Sequence, residues 1–128
     1  MQRTTRQRQA IYSTIAKAPG PLSPREILES AQNEVPALGI ATVYRNLRLL
    51  EDAGQIARVE LPGQVPRYEP AGLEHHHHFV CTACSRVFNV LACTEQLKRL
   101  VPPGFVLRHH EITLYGLCCD CKDKEIPG

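Results

Sequence analysis

The sequence has no apolar run approaching the roughly 18 residues that a membrane span requires. Its first apolar stretch, Ala10 to Ala18, is interrupted by polar residues and does not make the hydrophobic region of a secretory leader. Acidic residues are missing from the start of the chain: Arg3, Arg6, Arg8, Lys17 and Arg25 all precede the first carboxylate, Glu26. The first two absences exclude a membrane protein and set the expectation of a cytoplasmic one. In that compartment the six cysteines are expected to hold metal in preference to forming disulfides. The third leaves two readings open, a basic arm suited to a phosphate backbone or a plain solvated terminus.

At 128 residues the chain can form one ordinary domain or two small ones. Domains of roughly 60 residues are marginal unless a metal or a second subunit helps. The net charge of +2 decides little.

Helical periodicity predicts a first helix over Arg6 to Lys17, with Ile11 and Ile15 on one face, ended by Ala18-Pro19-Gly20-Pro21. Ser23-Pro24-Arg25-Glu26 has the form of a capping box and opens a second helix running to about Gln32. A third is predicted from Ile40 to Ala53, stopped by Gly54. Its Ile40, Val43, Leu47 and Leu50 share a core face, and Tyr44, Arg45 and Arg48 lie on the flank. Such a flank can read base edges and grip phosphates, or simply be solvated. Ile56 to Glu60 and Val65 to Glu69 alternate apolar and polar around Leu61-Pro62-Gly63-Gln64, the pattern of a hairpin. Three helices followed by a hairpin is the order of a winged helix-turn-helix, whose third helix enters the major groove.

Beyond the hinge Pro70-Ala71-Gly72, the run His75-His76-His77-His78 leads into Cys81-Thr82-Ala83-Cys84, and a second pair, Cys118 and Cys121, follows near the end. Two Cys-x-x-Cys turns supply four thiolates, enough to close a tetrahedral structural zinc site at about 2.3 Å per Zn–S bond. The competing reading is inert or redox-active thiols. Strands are predicted at His77 to Val80 and Val87 to Val90, a short helix at Thr94 to Leu100, and a long strand at Phe105 to Leu117. In a strand His75 and His77 project to one side and His76 and His78 to the other, so one run can feed two metal sites.

Gly39 to Leu47, Asp52-Ala53-Gly54, His75 to Cys84 and Leu114 to Cys118, in that order, resemble the ferric uptake regulator family of metal-dependent repressors, over about Thr5 to Cys121. The resemblance implies a homodimeric transcriptional repressor that binds operator DNA when loaded with a divalent metal. It implies DNA contacts from Arg8, Tyr44 and Arg45, with Thr42 and Arg48 on the same helix. It also implies a regulatory site at Glu69, His76 and His78. A second site would take His75, His77 and His110 with an acid, whose position falls at Gln96 by strict count, with Glu95 adjacent. Two further family ligands are missing, since Pro21 and Asn89 stand where a histidine and an acid are expected. A cysteine placed like Cys93 is similar to some zinc-responsive members; otherwise Cys93 reads as core, a spare thiol or a helix-entry residue, and Cys119 as a bystander.

The resulting expectation is an α+β chain. It comprises a winged helix-turn-helix domain at 1–70 and a small α/β metal-binding and dimerisation domain at 71–128, with a four-cysteine zinc site. The protein is expected to be no enzyme and to take no small-molecule substrate other than a metal ion. Zinc is the expected effector, because imidazole-rich ligation suits zinc, nickel or copper better than manganese. Manganese-, iron- or nickel-responsive and peroxide-sensing members are the alternatives. In a different class, His109-His110-Glu111 ahead of Cys118-x-x-Cys121 superficially resembles a zinc deaminase signature, although Leu117 replaces its proline.

Overall fold

The computed structural model describes residues 2–123; Met1 and 124–128, the tail of the second expected domain, lie outside it. The chain is α+β and divides into two compact units, Met1–Leu73 and Glu74–Gly128.

The first unit holds helices α1 (Gln2–Lys17), α2 (Pro24–Ala31) and α3 (Ile40–Asp52), followed by strands β1 (Ile56–Val59) and β2 (Arg67–Pro70). The capping box is formed at α2. Glu26 N–H donates to Ser23 Oγ at 3.2 Å, and Ser23 N–H donates to Glu26 Oε1 at 2.9 Å. At the end of α3, Gln55 N–H reaches Leu50 O at 2.9 Å and Gly54 N–H reaches Glu51 O at 3.0 Å. This closing turn needs a left-handed residue, and Gly54 supplies it at φ 74°. Val43, Leu47 and Leu50 of α3 are buried against Ile11, Ile15 and Ile27, each contributing on the order of 1.5–3 kcal/mol. Ile40, expected in the core, is 36% exposed, because the first residue of the helix lies beyond the packed face.

β1 and β2 pair antiparallel, Ile56 opposite Pro70 and Val59 opposite Arg67. β2 starts at Arg67, later than alternation suggests, because Pro66 has no N–H to give a ladder. Leu22 and Tyr68 exchange backbone hydrogen bonds of 2.9 and 2.8 Å, which fasten the approach to α2 onto β2. A buried guanidinium completes the lock. Arg67 donates to Glu26 Oε1 at 2.6 Å, Pro21 O at 3.1 Å and Gln64 Oε1 at 2.9 Å.

The second unit holds β3 (His77–Cys81), β4 (Val87–Val90), a short 3₁₀ helix η1 (Glu95–Leu100) and β5 (Thr113–Gly116), with sheet order β4-β3-β5. β4 runs antiparallel to β3 and β5 parallel to it. The long strand expected over Phe105 to Leu117 is confined to Thr113–Gly116. Alternation marks two faces but supplies no ladder partner, and Phe105 and Val106 stand 71% and 78% exposed. Among the described residues no helix is long and apolar enough to cross a membrane.

Candidate metal centres and nucleic-acid interface

Strand register gathers the four expected cysteines. The parallel pairing sets Cys81 beside Gly116, so the chain leaving β5 delivers Cys118 and Cys121 to the turn after β3. Each first cysteine is wrapped by its own turn: Ser85 N–H donates to Cys81 O at 2.9 Å, and Cys121 N–H to Cys118 O at 3.0 Å. Ser85 accepts a left-handed φ of 66°, bending the chain around the thiol. The Cys84 and Cys118 amides point at Cys81 Sγ from 3.4 and 3.5 Å. These backbone donors lower the Cys81 thiol to about 6, favouring thiolate at neutral pH. Arg86 lowers Cys84 in the same direction, its guanidinium lying 3.2 Å from Cys84 Sγ and 3.4 Å from Cys118 Sγ. Cys121 is pushed up to about 12 by the crowding Cys118 sulfur.

All four sulfurs lie within 4.8 Å of one another. Cys84 and Cys118 stand 3.9 Å apart, against about 3.8 Å for an edge of a tetrahedron with zinc–sulfur bonds. The donor chemistry therefore fits a closed structural zinc site. Cys119 is exposed and turned toward Asp120, outside the group.

The histidine run splits by strand alternation. His76 and His78 lie on one face of β3 with ring centroids 5.0 Å apart. In register, His78 faces Asn89 of β4, an amide where the family resemblance places an acid. Glu69 belongs to the first unit, in β2 opposite Ala57.

On the other face His75 Nε2 lies 3.1 Å from His77 Nε2 and 3.0 Å from His110 Nε2. Cys93 Sγ joins them, 3.3 Å from His77, 3.2 Å from His110 and 3.9 Å from His75. Gln96, at the position family spacing brings here, is exposed, and the adjacent Glu95 is exposed and outside the group. The local cause is a helix cap: Thr94 Oγ1 accepts from Gln96 N–H at 3.1 Å, which turns the chain into η1 immediately after Cys93. Burial, then the neighbouring imidazoles, hold His77 below the ordinary histidine range, so it is neutral at pH 7. Its Nδ1 accepts from Ile112 N–H at 3.2 Å, which leaves the proton of the metal-free ring on Nε2. His109 pairs with Glu111, at 3.5 Å. Among the described residues the deaminase-like reading thus finds no assembled site, since its cysteines close a four-thiol group and His110 turns to His75 while His109 turns to Glu111.

In the first unit α3 turns Tyr44 (55% exposed), Arg45 and Arg48 outward along a face opposite its core residues. Arg45 donates to Thr42 Oγ1 at 3.1 Å, and Asn46 donates to Thr42 O at 2.9 Å while accepting from Arg8 Nε at 3.4 Å. Arg8, Thr42 and Arg45 are thus held in one connected set spanning α1 and α3. Arg58, which sequence reading passed over, lines the same open hollow as Tyr44, Arg45 and Arg48, and is engaged by Glu51 at 3.2 Å. Nothing in its strand pattern distinguishes it from ordinary surface.

An α+β chain with a cationic helix face in one unit and clusters of metal-ligating side chains in the other has the parts of a metal-responsive DNA-binding regulator. The chain belongs to the ferric uptake regulator family, whose profile matches residues 2–115. It is 31% identical to the ferric uptake regulation protein of Campylobacter jejuni, covering 94% of this chain and 80% of that protein. Among solved structures it is similar to a zinc-bound manganese uptake regulator, with a TM-score of 0.77, 28% identity, and coverage of 88% of this chain and 87% of the other. It is also similar to the Helicobacter pylori ferric uptake regulator, described as having three functional metal binding sites. There the TM-score is 0.65 and the identity 26%, over 95% of this chain and 82% of that one. Proteins of this family are DNA-binding transcription regulators that act as dimers, and this one is a metal-responsive regulator and no enzyme.

Proposed function

We propose that the protein is a cytoplasmic, zinc-responsive repressor of metal-uptake genes. Its first unit is a winged helix-turn-helix in which α3 enters the major groove and the β1–β2 hairpin forms the wing. Tyr44, Arg45 and Arg48, with Thr42 and Arg8, make the DNA contacts. Cys81, Cys84, Cys118 and Cys121 hold a structural zinc that folds the second unit. Glu69 of the first unit and His76 and His78 of the second form the regulatory site, so that the metal selects the arrangement in which a dimer matches successive grooves.

The observation that carries this reading is the separation of His76 and His78 from the other two imidazoles by the pleat of β3, which leaves a distinct pair free of thiolates. Zinc is favoured because Pro21 and Asn89 replace an imidazole and a carboxylate, and the remaining donors lack the oxygen-rich set that manganese prefers. The exposed consecutive residues Phe105, Val106 and Leu107, together with Leu114 and Tyr115, supply apolar surface for a second copy of the chain. Operator binding measured across buffered zinc, manganese, iron and nickel tests the effector. Zinc should suffice, and dependence on manganese or iron alone would overturn the assignment.

A further inference from the structure

We infer that Arg86 is a positioning residue of the four-cysteine site. Its guanidinium bridges the two Cys-x-x-Cys turns, holds their sulfurs in place and secures the metal they bind. The inference rests on the assignment of a structural zinc to Cys81, Cys84, Cys118 and Cys121.

The side chain touches both turns at once. Arg86 Nε donates to Cys84 Sγ at 3.2 Å, in the turn after β3. Its Nη2 donates to Cys118 Sγ at 3.4 Å and to Asp120 Oδ2 at 3.0 Å, in the turn after β5.

Three contacts aim the guanidinium. The Cys81 amide donates to Arg86 O at 2.9 Å, which fixes the backbone directly behind the first turn. Phe88, two residues on and therefore on the same side of the strand, lies under the cation, with 5.4 Å from Arg86 Cζ to the ring centre. Asp120 engages the same nitrogen that meets Cys118. With side chains 43% and 66% exposed, the Arg86–Asp120 pair adds little stability as a surface ion pair, so its consequence is orientation.

Charge explains what the bridge does. Four thiolates around one zinc leave two negative charges in excess. Cys81, on the buried side, meets that excess with the Cys84 and Cys118 backbone amides at 3.4 and 3.5 Å. Cys84 is exposed, and there the donor is the Arg86 cation. A charge-assisted N–H···S hydrogen bond draws charge off the sulfur, making it a poorer base and a poorer nucleophile, so protons and electrophiles compete less well with the metal. Lysine could not replace it, because an ammonium is a point charge on a flexible stem, whereas the planar guanidinium reaches two sulfurs from one position.

The test uses the full chain with zinc in the four-cysteine site, in competition with a chelator of known zinc affinity. Cobalt(II) substituted at that site serves as a spectroscopic probe. Arg86→Gln should lower the apparent zinc affinity about 10- to 100-fold, the cost of removing an outer partner of a metal ligand, while the helical melting of the first unit stays unchanged. Its sulfur-to-cobalt charge-transfer band should move to lower energy, because sulfurs without the cation give up an electron more readily; a loss of packing alone would not move it. Arg86→Lys should recover only part of the affinity. Should Arg86→Gln take up no zinc, Asp120→Asn decides: it keeps the guanidinium without its orienting partner, and affinity should fall by a smaller factor with the band shifted in the same direction. Wild-type affinity and band position in the deciding variant, or full recovery in Arg86→Lys, would overturn the inference. Zinc content unchanged by Cys84→Ala would instead refute the zinc assignment on which it rests.

Discussion

Replacing Arg67 with methionine probes how the hairpin is held to the helices. The Arg67 side chain is 6% exposed and that of Glu26 28%; the pair stands 2.6 Å apart, and Glu26 Oε1 also accepts from the Ser23 amide. Breaking a fully buried pair on one side costs about 3–5 kcal/mol, and the partial exposure of Glu26 reduces this to about 2–3 kcal/mol. Part of the cost is Pro21 O, which loses its guanidinium donor in a buried setting. For a domain of this size each kcal/mol shifts Tm by about 4–8 °C, so a fall of roughly 10–20 °C is expected. The α-helices of the described residues all lie in the first unit, so the circular dichroism signal of helix reports its melting. A double-mutant cycle with Glu26→Gln isolates the pair. A fall below about 4 °C, or coupling indistinguishable from zero, would refute the claim that this ion pair locks the hairpin to α2.

Cys84→Ala, or stripping the chain with a strong thiol-competing chelator, should unfold the second unit while the helical unit keeps its melting transition; near-ultraviolet dichroism and hydrogen exchange over β3 to β5 report this. Gly116→Ala places a methyl 2.9 Å from the Phe79 ring, so a loss of about 1–3 kcal/mol is expected in urea unfolding of that unit. Tyr68 is held above its ordinary range chiefly by burial, so the folded state favours the neutral phenol. Its contribution is then fully present below the ordinary tyrosine pKa of about 10 and is lost as pH rises through the folded value. The urea midpoint of the first unit should therefore fall above about pH 10, and less steeply in Tyr68→Phe.

Local signals carried much of the architecture. Ser23 and Glu26 announce the start of α2, Gly54 the end of α3, and the alternating run around Leu61-Pro62-Gly63-Gln64 the hairpin, because caps and turns are decided by neighbouring residues. Thiol pairing was legible for the same reason, since two residues of spacing place both sulfurs of a turn together. Long-range features were not. Alternation over Phe105 to Leu117 reports two faces but not whether a partner strand exists. Counting residues to Gln96 assumes a loop conformation that the Thr94 cap changes, which is how Cys93 came to stand with the histidines. Arg67 and Arg86 reach their partners across 41 and 32 residues of chain, so nothing beside them in the sequence marks their work.

The most direct test of the account is the operator affinity of the zinc-stripped and zinc-loaded protein, with the structural site filled in both, compared between wild type and His76→Ala. Zinc should tighten wild-type binding by about 5- to 150-fold, the range of ordinary allosteric coupling, and leave His76→Ala at the stripped level with its fold intact. Equal affinities for the two wild-type forms, or an undiminished zinc response in His76→Ala, would contradict it.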